Sequence, residues 1–201
     1  MTRYPRKEIA MLKYALVGAA AALVTGFALQ DEKQDAGMHK PPAVTKEHKF
    51  LKQLVGNWES DMECSMGPDK TVKMKGSETS RMLGDYWYEA EMKGDMPAEM
   101  GGGAFTGHMT IGYDSKKGKV VGTWVDNMTD YLWVYEGTLD EATKTITLET
   151  TGPNMADPSS KEYVRYRETQ TLNADGTKTF SSAMEMNGTF VPMMKGVARK
   201  K

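Results

Sequence analysis

One cysteine, three histidines and no surplus of positive charge mark this 201-residue chain, and each scarcity removes a class of function. Cys64 alone cannot form an intramolecular disulfide or a paired-cysteine metal motif. The 26 Lys and Arg are matched by 27 Asp and Glu, with the signs interspersed. No basic stripe exists to neutralise phosphates, which argues against nucleic-acid binding. There is no Gly-x-Ser-x-Gly elbow, no His-Glu-x-x-His and no phosphate-cradling glycine loop. No cofactor is assigned.

The only long apolar run lies at the N-terminus. Met11-Leu12-Lys13 supplies a short basic start, residues 14–29 are almost uncharged, and Gly26-Phe27-Ala28 offers small residues where a signal peptidase cuts. This grammar predicts a signal peptide over 1–28, with Met11 a possible true start, and the run is short for a membrane span. The expected location is periplasmic or secreted, with no membrane span after cleavage. Without residues 1–28 the chain carries 22 basic and 26 acidic residues. Residues 29–43, which include His39 and Pro41-Pro42, read as a disordered tether, and 44–201 as one domain.

The domain opens with a helix signal. Thr45 can cap it, Phe50, Leu51, Leu54 and Val55 fall on one arc, and Gly56 suits the exit. From Trp58 the period switches to two: Trp58, Ser60, Met62, Cys64 and Met66 alternate with acidic and amide residues. Turn signals then recur at 67–69, 84–85, 114–118, 126–130, 140–144, 152–160, 173–176 and 187–188, the last two being strong hairpin signatures. Between them lie runs rich in Thr, Val, Tyr, Trp and Phe, such as 118–126, 131–139, 145–151 and 163–172. The expectation is an all-β fold: roughly ten antiparallel strands in a meander barrel, lipocalin-like or calycin-like, with a short N-terminal helix. The segment 96–103, with Pro97 and three glycines, is the one connection long enough to act as a lid.

If Trp58 points inward, so do Met62, Cys64 and Met66. Tyr88-Ala90-Met92, Phe105-Gly107-Met109-Ile111, and Ala183 with Met184 and Met186 supply further apolar faces. Fifteen of the 17 methionines follow residue 28, and a Met-rich lining adapts to varied apolar ligands. A core simply filled by methionine is the competing reading. Met92, Met96, Met100 and His108 raise Cu(I) capture, but Gly94 and Pro97 break the spacing, so no metal site is assigned. Cys64 reads as a small buried hydrophobe.

The candidate ligand-binding residues are Trp58, Met62, Trp124 and Trp133 as walls, Asp126 beside Trp124, and Arg165 or Arg167 as a polar anchor. The arginines share one parity of their strand, while Val164, Tyr166, Glu168 and Leu172 share the other. Facing inward, they would fork onto a ligand carboxylate; facing outward, the favoured alternative, they would make cross-strand pairs on a solvated face. The leading expectation is an exported barrel that binds a small, mainly apolar ligand. The rivals are a non-catalytic interaction module with a filled core and, more weakly, an enzyme with Asp126 and His108 at the barrel mouth.

Four motifs occur in order: His-x-x-Leu-x-x-Leu-Val-Gly-x-Trp at 48–58, Ile-Gly-Tyr-Asp at 111–114, Gly-Thr-Trp-Val-Asp-Asn-Met at 122–128 and Tyr-Glu-Gly-Thr-Leu-Asp at 135–140. Together they resemble the bacterial family called domain of unknown function 1579, over about residues 44–199. The resemblance implies a lipocalin-like barrel, often exported, with no established activity. The matching positions are His48, Gly56, Trp58, Gly112, Tyr113, Asp114, Trp124, Asp126 and Gly137. The chain departs from the family at 190–194, which carries less charge than usual. Pro192 there cannot donate to a ladder, so an edge or bulge is expected and barrel closure is in question.

Overall fold

The structure is a computed structural model, and residues 41–67, 69–157 and 159–201 are described. The signal-peptide reading and most of the tether lie outside the described residues. From Ala43 onward the chain forms one compact unit. It begins with α1 (Lys46–Leu54), followed by β1 (Asn57–Ser65), β2 (Thr71–Leu83), β3 (Trp87–Asp95), a 3-10 turn (Ala98–Met100), β4 (Ala104–Asp114) and β5 (Lys119–Asp126). The second half comprises β6 (Trp133–Asp140), β7 (Thr145–Pro153), β8 (Tyr163–Leu172), β9 (Lys178–Met186) and β10 (Thr189–Lys200). Each strand pairs antiparallel with its neighbours in sequence, and β10 closes on β1. The result is a ten-stranded meander barrel.

Every connection falls at a turn signal visible in the sequence. The β9–β10 hairpin turns on Asn187 and Gly188, both at positive φ (51° and 78°), the conformation that a two-residue primed turn requires. Asp114 and Asp140 each accept backbone N–H bonds from two residues of the turn they open. Pro192 is accommodated by a bulge: the β9–β10 register shifts between Pro192 and Met194, and β1 pairs with β10 only from Met194 onward. The missing N–H therefore falls outside the seam that closes the barrel.

Helix α1 lies across the ends of β2, β3 and β4 and seals one end of the barrel. Phe50, Leu51 and Leu54 are its buried arc, each burial stabilising by about 1.5–3 kcal/mol. His48 takes the third helical position, where Nδ1 accepts the Thr45 backbone N–H at 3.0 Å, and its ring meets Tyr86 and Tyr113 edge-on. The helix and β1 are joined tightly. Trp58 Nε1 donates to the Leu54 carbonyl at 2.9 Å, and Ser80 holds both the N–H and the carbonyl of Gly56.

Beneath α1 the interior is packed solid around Trp58, Tyr88, Ile111, Val120 and Ile146, none more than 2% exposed. Sequence patterning missed the charges in this floor. Lys178, 1% exposed, gives both oxygens of Glu78 a hydrogen bond at 2.6 and 2.7 Å, and its ammonium lies 4.3 Å from the Trp58 ring centroid. Tyr88 donates to the same carboxylate at 2.5 Å. Burial pulls the lysine below its ordinary range against the opposing pull of Glu78, and holds the Tyr88 hydroxyl well above its own.

Removing one member of such a pair strands the other charge in a dry site. Lys178→Met should cost about 3–5 kcal/mol, and the double variant Glu78→Gln/Lys178→Met should recover most of that loss. Urea denaturation of the three proteins checks this, and equal losses in single and double variants would refute it.

Candidate functional site

The alternation set by Trp58 runs around the whole wall, so the inner face can be followed strand by strand. Met62 and Met74 are cross-strand partners on β1 and β2. Met92, Met109 and Trp124 continue on β3, β4 and β5, and Trp133 and Tyr135 on β6. Inner glycines let the large rings lie flat. A Cβ at Gly107 would come within 2.3 Å of the Trp124 ring, and one at Gly152 within 2.2 Å of Trp133. Trp124 also stacks on Phe105, while Trp133 meets Tyr131 and Tyr166 edge-on. These aromatics gather at the end of the barrel opposite α1.

The predicted site residues divide accordingly. Trp58 is floor, covered by Lys178. Met62, Trp124 and Trp133 face inward on the upper walls, and Met62 and Trp124 are half-buried. Asp126 faces inward too, but its oxygens are committed. Oδ2 accepts the Trp124 indole N–H at 2.8 Å, and Oδ1 accepts the backbone N–H of Met128 and Thr129. It holds the β5–β6 turn. His108 is exposed on the outer face opposite Val125. Asp126 and His108 therefore occupy opposite faces of the sheet, as do Met92 and His108, and neither the enzymatic pair nor the copper constellation is brought together.

Arg165 and Arg167 correct the anchor reading. Both project from the outer face of β8, because Tyr166, between them, is core. Arg167 forks onto Glu149 Oε1 at 2.7 and 2.9 Å, Arg165 reaches Glu149 Oε2 at 2.9 Å, and both guanidinium groups lie over the Phe190 ring. The arginine fork beside Glu149 holds its carboxyl below the usual range. The outward alternative prevails because Glu149 and Glu185 stand opposite in register or beside it. Three apolar assignments also change. Met66 lies past the end of β1 and is exposed, Ala183 pairs with Arg167 on the outer face, and Met186 is exposed. Cys64 is half-buried on the inward parity, and burial pushes its thiol up.

With the arginines outside, the inner parity of β8 carries Val164, Tyr166, Glu168, Gln170 and Leu172. Gln170 and Ser182 face the interior from β8 and β9, yet among the described residues neither side chain makes a hydrogen bond. Glu168, the cross-strand partner of Ser182, accepts one bond, from the Tyr135 hydroxyl at 3.1 Å, and has no cation partner among the described residues. Tyr135 reaches it by leaning across β7. All three polar residues retain partial accessible surface, as do Phe180, Met62, Met74 and Gly196 around them. A depression of about 760 Å³ borders β1, β2, β9 and β10; most of its lining, Asp61, Glu63, Lys73, Lys75, Lys195 and Arg199 among it, has the outer parity, and it includes none of the three polar residues. Above the packed floor, inner-face residues along an arc of β8, β9, β10, β1 and β2 thus keep partial accessible surface.

The outer wall has its own feature. Trp87, Val125 and Val134 are exposed on β3, β5 and β6, and a groove of about 220 Å³ runs between Trp87, Val121 and Val134.

Burial raises the Glu168 carboxyl to about 7, with the Tyr135 hydrogen bond opposing. In the unfolded chain the same group titrates near 4.5. The folded barrel therefore holds the proton more tightly, so this stabilisation is complete below about pH 4.5 and is lost as pH rises through about 7. Glu168→Gln should abolish that segment of the profile. Relative to wild type, the variant should gain on the order of 2 kcal/mol between pH 4.5 and 8, the partial exposure of the carboxyl being allowed for. Chemical denaturation of both proteins across that range is the check, and parallel profiles would refute it.

Known proteins place the chain by fold and family. It is similar in fold to the protein in the crystal structure of Rv2717c from M. tuberculosis, with a TM-score of 0.57 at 13% identity, over 79% of this chain and 99% of that one. At that identity the likeness shows the fold alone. No functionally curated protein is significantly similar in sequence. Among the described residues no helix is long and apolar enough to cross a membrane. The family model described as protein of unknown function DUF1579 matches residues 43–200, and the chain belongs to that family.

Proposed function

We propose that this barrel is a carrier that holds a small, mainly apolar molecule in its interior, working outside the cytoplasm. The observation that carries this reading is the group Glu168, Gln170 and Ser182. These polar side chains point into a barrel otherwise lined by methionine and aromatic groups, and two of them lack a described hydrogen bond. Unpaired polar groups that converge in an apolar setting are what a ligand or bound water completes. The half-buried Met62, Met74 and Phe180 supply the apolar part of the lining. The flexible thioethers of the two methionines suit a ligand of irregular shape. The leader-like N-terminus supports export, and N-terminal sequencing of the exported protein should then begin near residue 29.

A filled barrel acting through its outer wall draws support from the exposed Trp87, Val125 and Val134. The interior reading is preferred because it accounts for the unpaired polar groups, which an outer surface does not. Native mass spectrometry and fluorescence titration with an uncharged apolar reporter dye such as N-phenyl-1-naphthylamine separate the two. Ser182→Phe, which fills the arc, should weaken binding at least about tenfold. Val134→Lys on the outer wall should leave it unchanged. The reverse pattern, or no binding by the wild type, would sink the proposal.

A further inference from the structure

The interior holds more than one acid, and charge accounting separates them. Glu78 is neutralised by both hydrogen bonds from Lys178 and by Tyr88. Asp126 is consumed by the Trp124 indole and two backbone N–H groups of its own turn. Among the described residues Glu168 has only a neutral tyrosine hydroxyl. Around it, β6 presents Tyr135, β7 presents Leu148 at the paired position, and β9 presents Ser182. None of these can supply a positive charge. The cations of this wall are elsewhere: Arg165 and Arg167 outside on Glu149, and Lys178 sealed into the floor.

We infer that the ligand is an apolar organic amine, whose ammonium docks on Glu168, Gln170 and Ser182 while its hydrocarbon portion lies along Phe180, Met62 and Met74. This deepens the interior-carrier reading and rests on it. An ammonium offers three donors and no acceptor. The inner faces of β8 and β9 offer three acceptors: a carboxylate, an amide oxygen and a hydroxyl. Gln170 and Phe180 are cross-strand partners, as are Glu168 and Ser182, so the acceptors and the apolar ring share one small area. A ligand carboxylate fares badly in the same place. It would meet Glu168 where, among the described residues, the one cation on the inner faces of β6 to β9 is Lys178, already held by Glu78, and a buried unpaired anion is heavily disfavoured. The arrangement therefore discriminates among ligands of equal hydrocarbon length by the charge of the head.

Isothermal titration of the purified full chain with n-octylammonium, n-octanol and octanoate at pH 8 tests this. The expected order is ammonium tightest, by about tenfold over the alcohol, and octanoate weakest. Acidifying the wild type from pH 8 to 6 should weaken ammonium binding as the Glu168 carboxyl takes up its proton, and Glu168→Gln should bring the ammonium down to the alcohol's level. Equal affinities for all three probes, octanoate as the tightest, or an ammonium preference untouched by E168Q would overturn the amine assignment while leaving the interior carrier standing. No binding of any probe would bring down both.

Discussion

The seam between β1 and β10 is the constraint on which the rest of this molecule depends. Seven registered pairs, from Trp58 with Lys200 to Cys64 with Met194, join the first strand to the last. With them every strand has two neighbours and no row of N–H and carbonyl groups is left at an edge. Closure also fixes which side chains are inside, because a slip of one residue would turn each strand's inner face outward. The bulge after Pro192 belongs to this arrangement. It absorbs the residue that cannot donate before the seam begins, and lets Met194 to Lys200 run in register with β1.

Most of the fold could be read from local chemistry. Turns are encoded by Asp, Asn and Gly at positions needing special backbone geometry, and helix α1 by an apolar arc followed by Gly56; both are short-range signals that tertiary context rarely overrides. Trp58 was legible for the same reason, since its strand alternates cleanly. The floor ion pair was not. Glu78 and Lys178 are one hundred residues apart, and each sits on a strand where charge normally marks the wet face. Only closure brings them together.

The candidate site divides along the same line. Trp124 and Trp133 face inward as their strands' alternation requires. Asp126 stood out beside Trp124, but its oxygens are spent on the β5–β6 turn, a bond pattern the dipeptide alone does not reveal. On β8 the arginines drew attention because guanidinium groups recognise anions. Val164, Tyr166 and Leu172 on the opposite parity already indicated which face was apolar. Glu168 shares that parity, so its inward position was available from the pattern. What the sequence lacked was the absence of a partner, which is a property of the assembled interior.

Two interior carboxylates thus stand in contrast, and the contrast separates structure from function. Glu78 lies where α1 seals the barrel, and it is met by a lysine and a tyrosine; an unmatched charge there would be strongly destabilising. Glu168 lies midway along β8, where the inner wall keeps accessible surface, and a single neutral hydroxyl meets it. A barrel selected only for stability would place leucine at that position, since an apolar residue there avoids the desolvation cost altogether. Retaining an acid, an amide and a hydroxyl together on the inner face sacrifices stability for chemistry. That is the pattern expected where local rules are broken for binding.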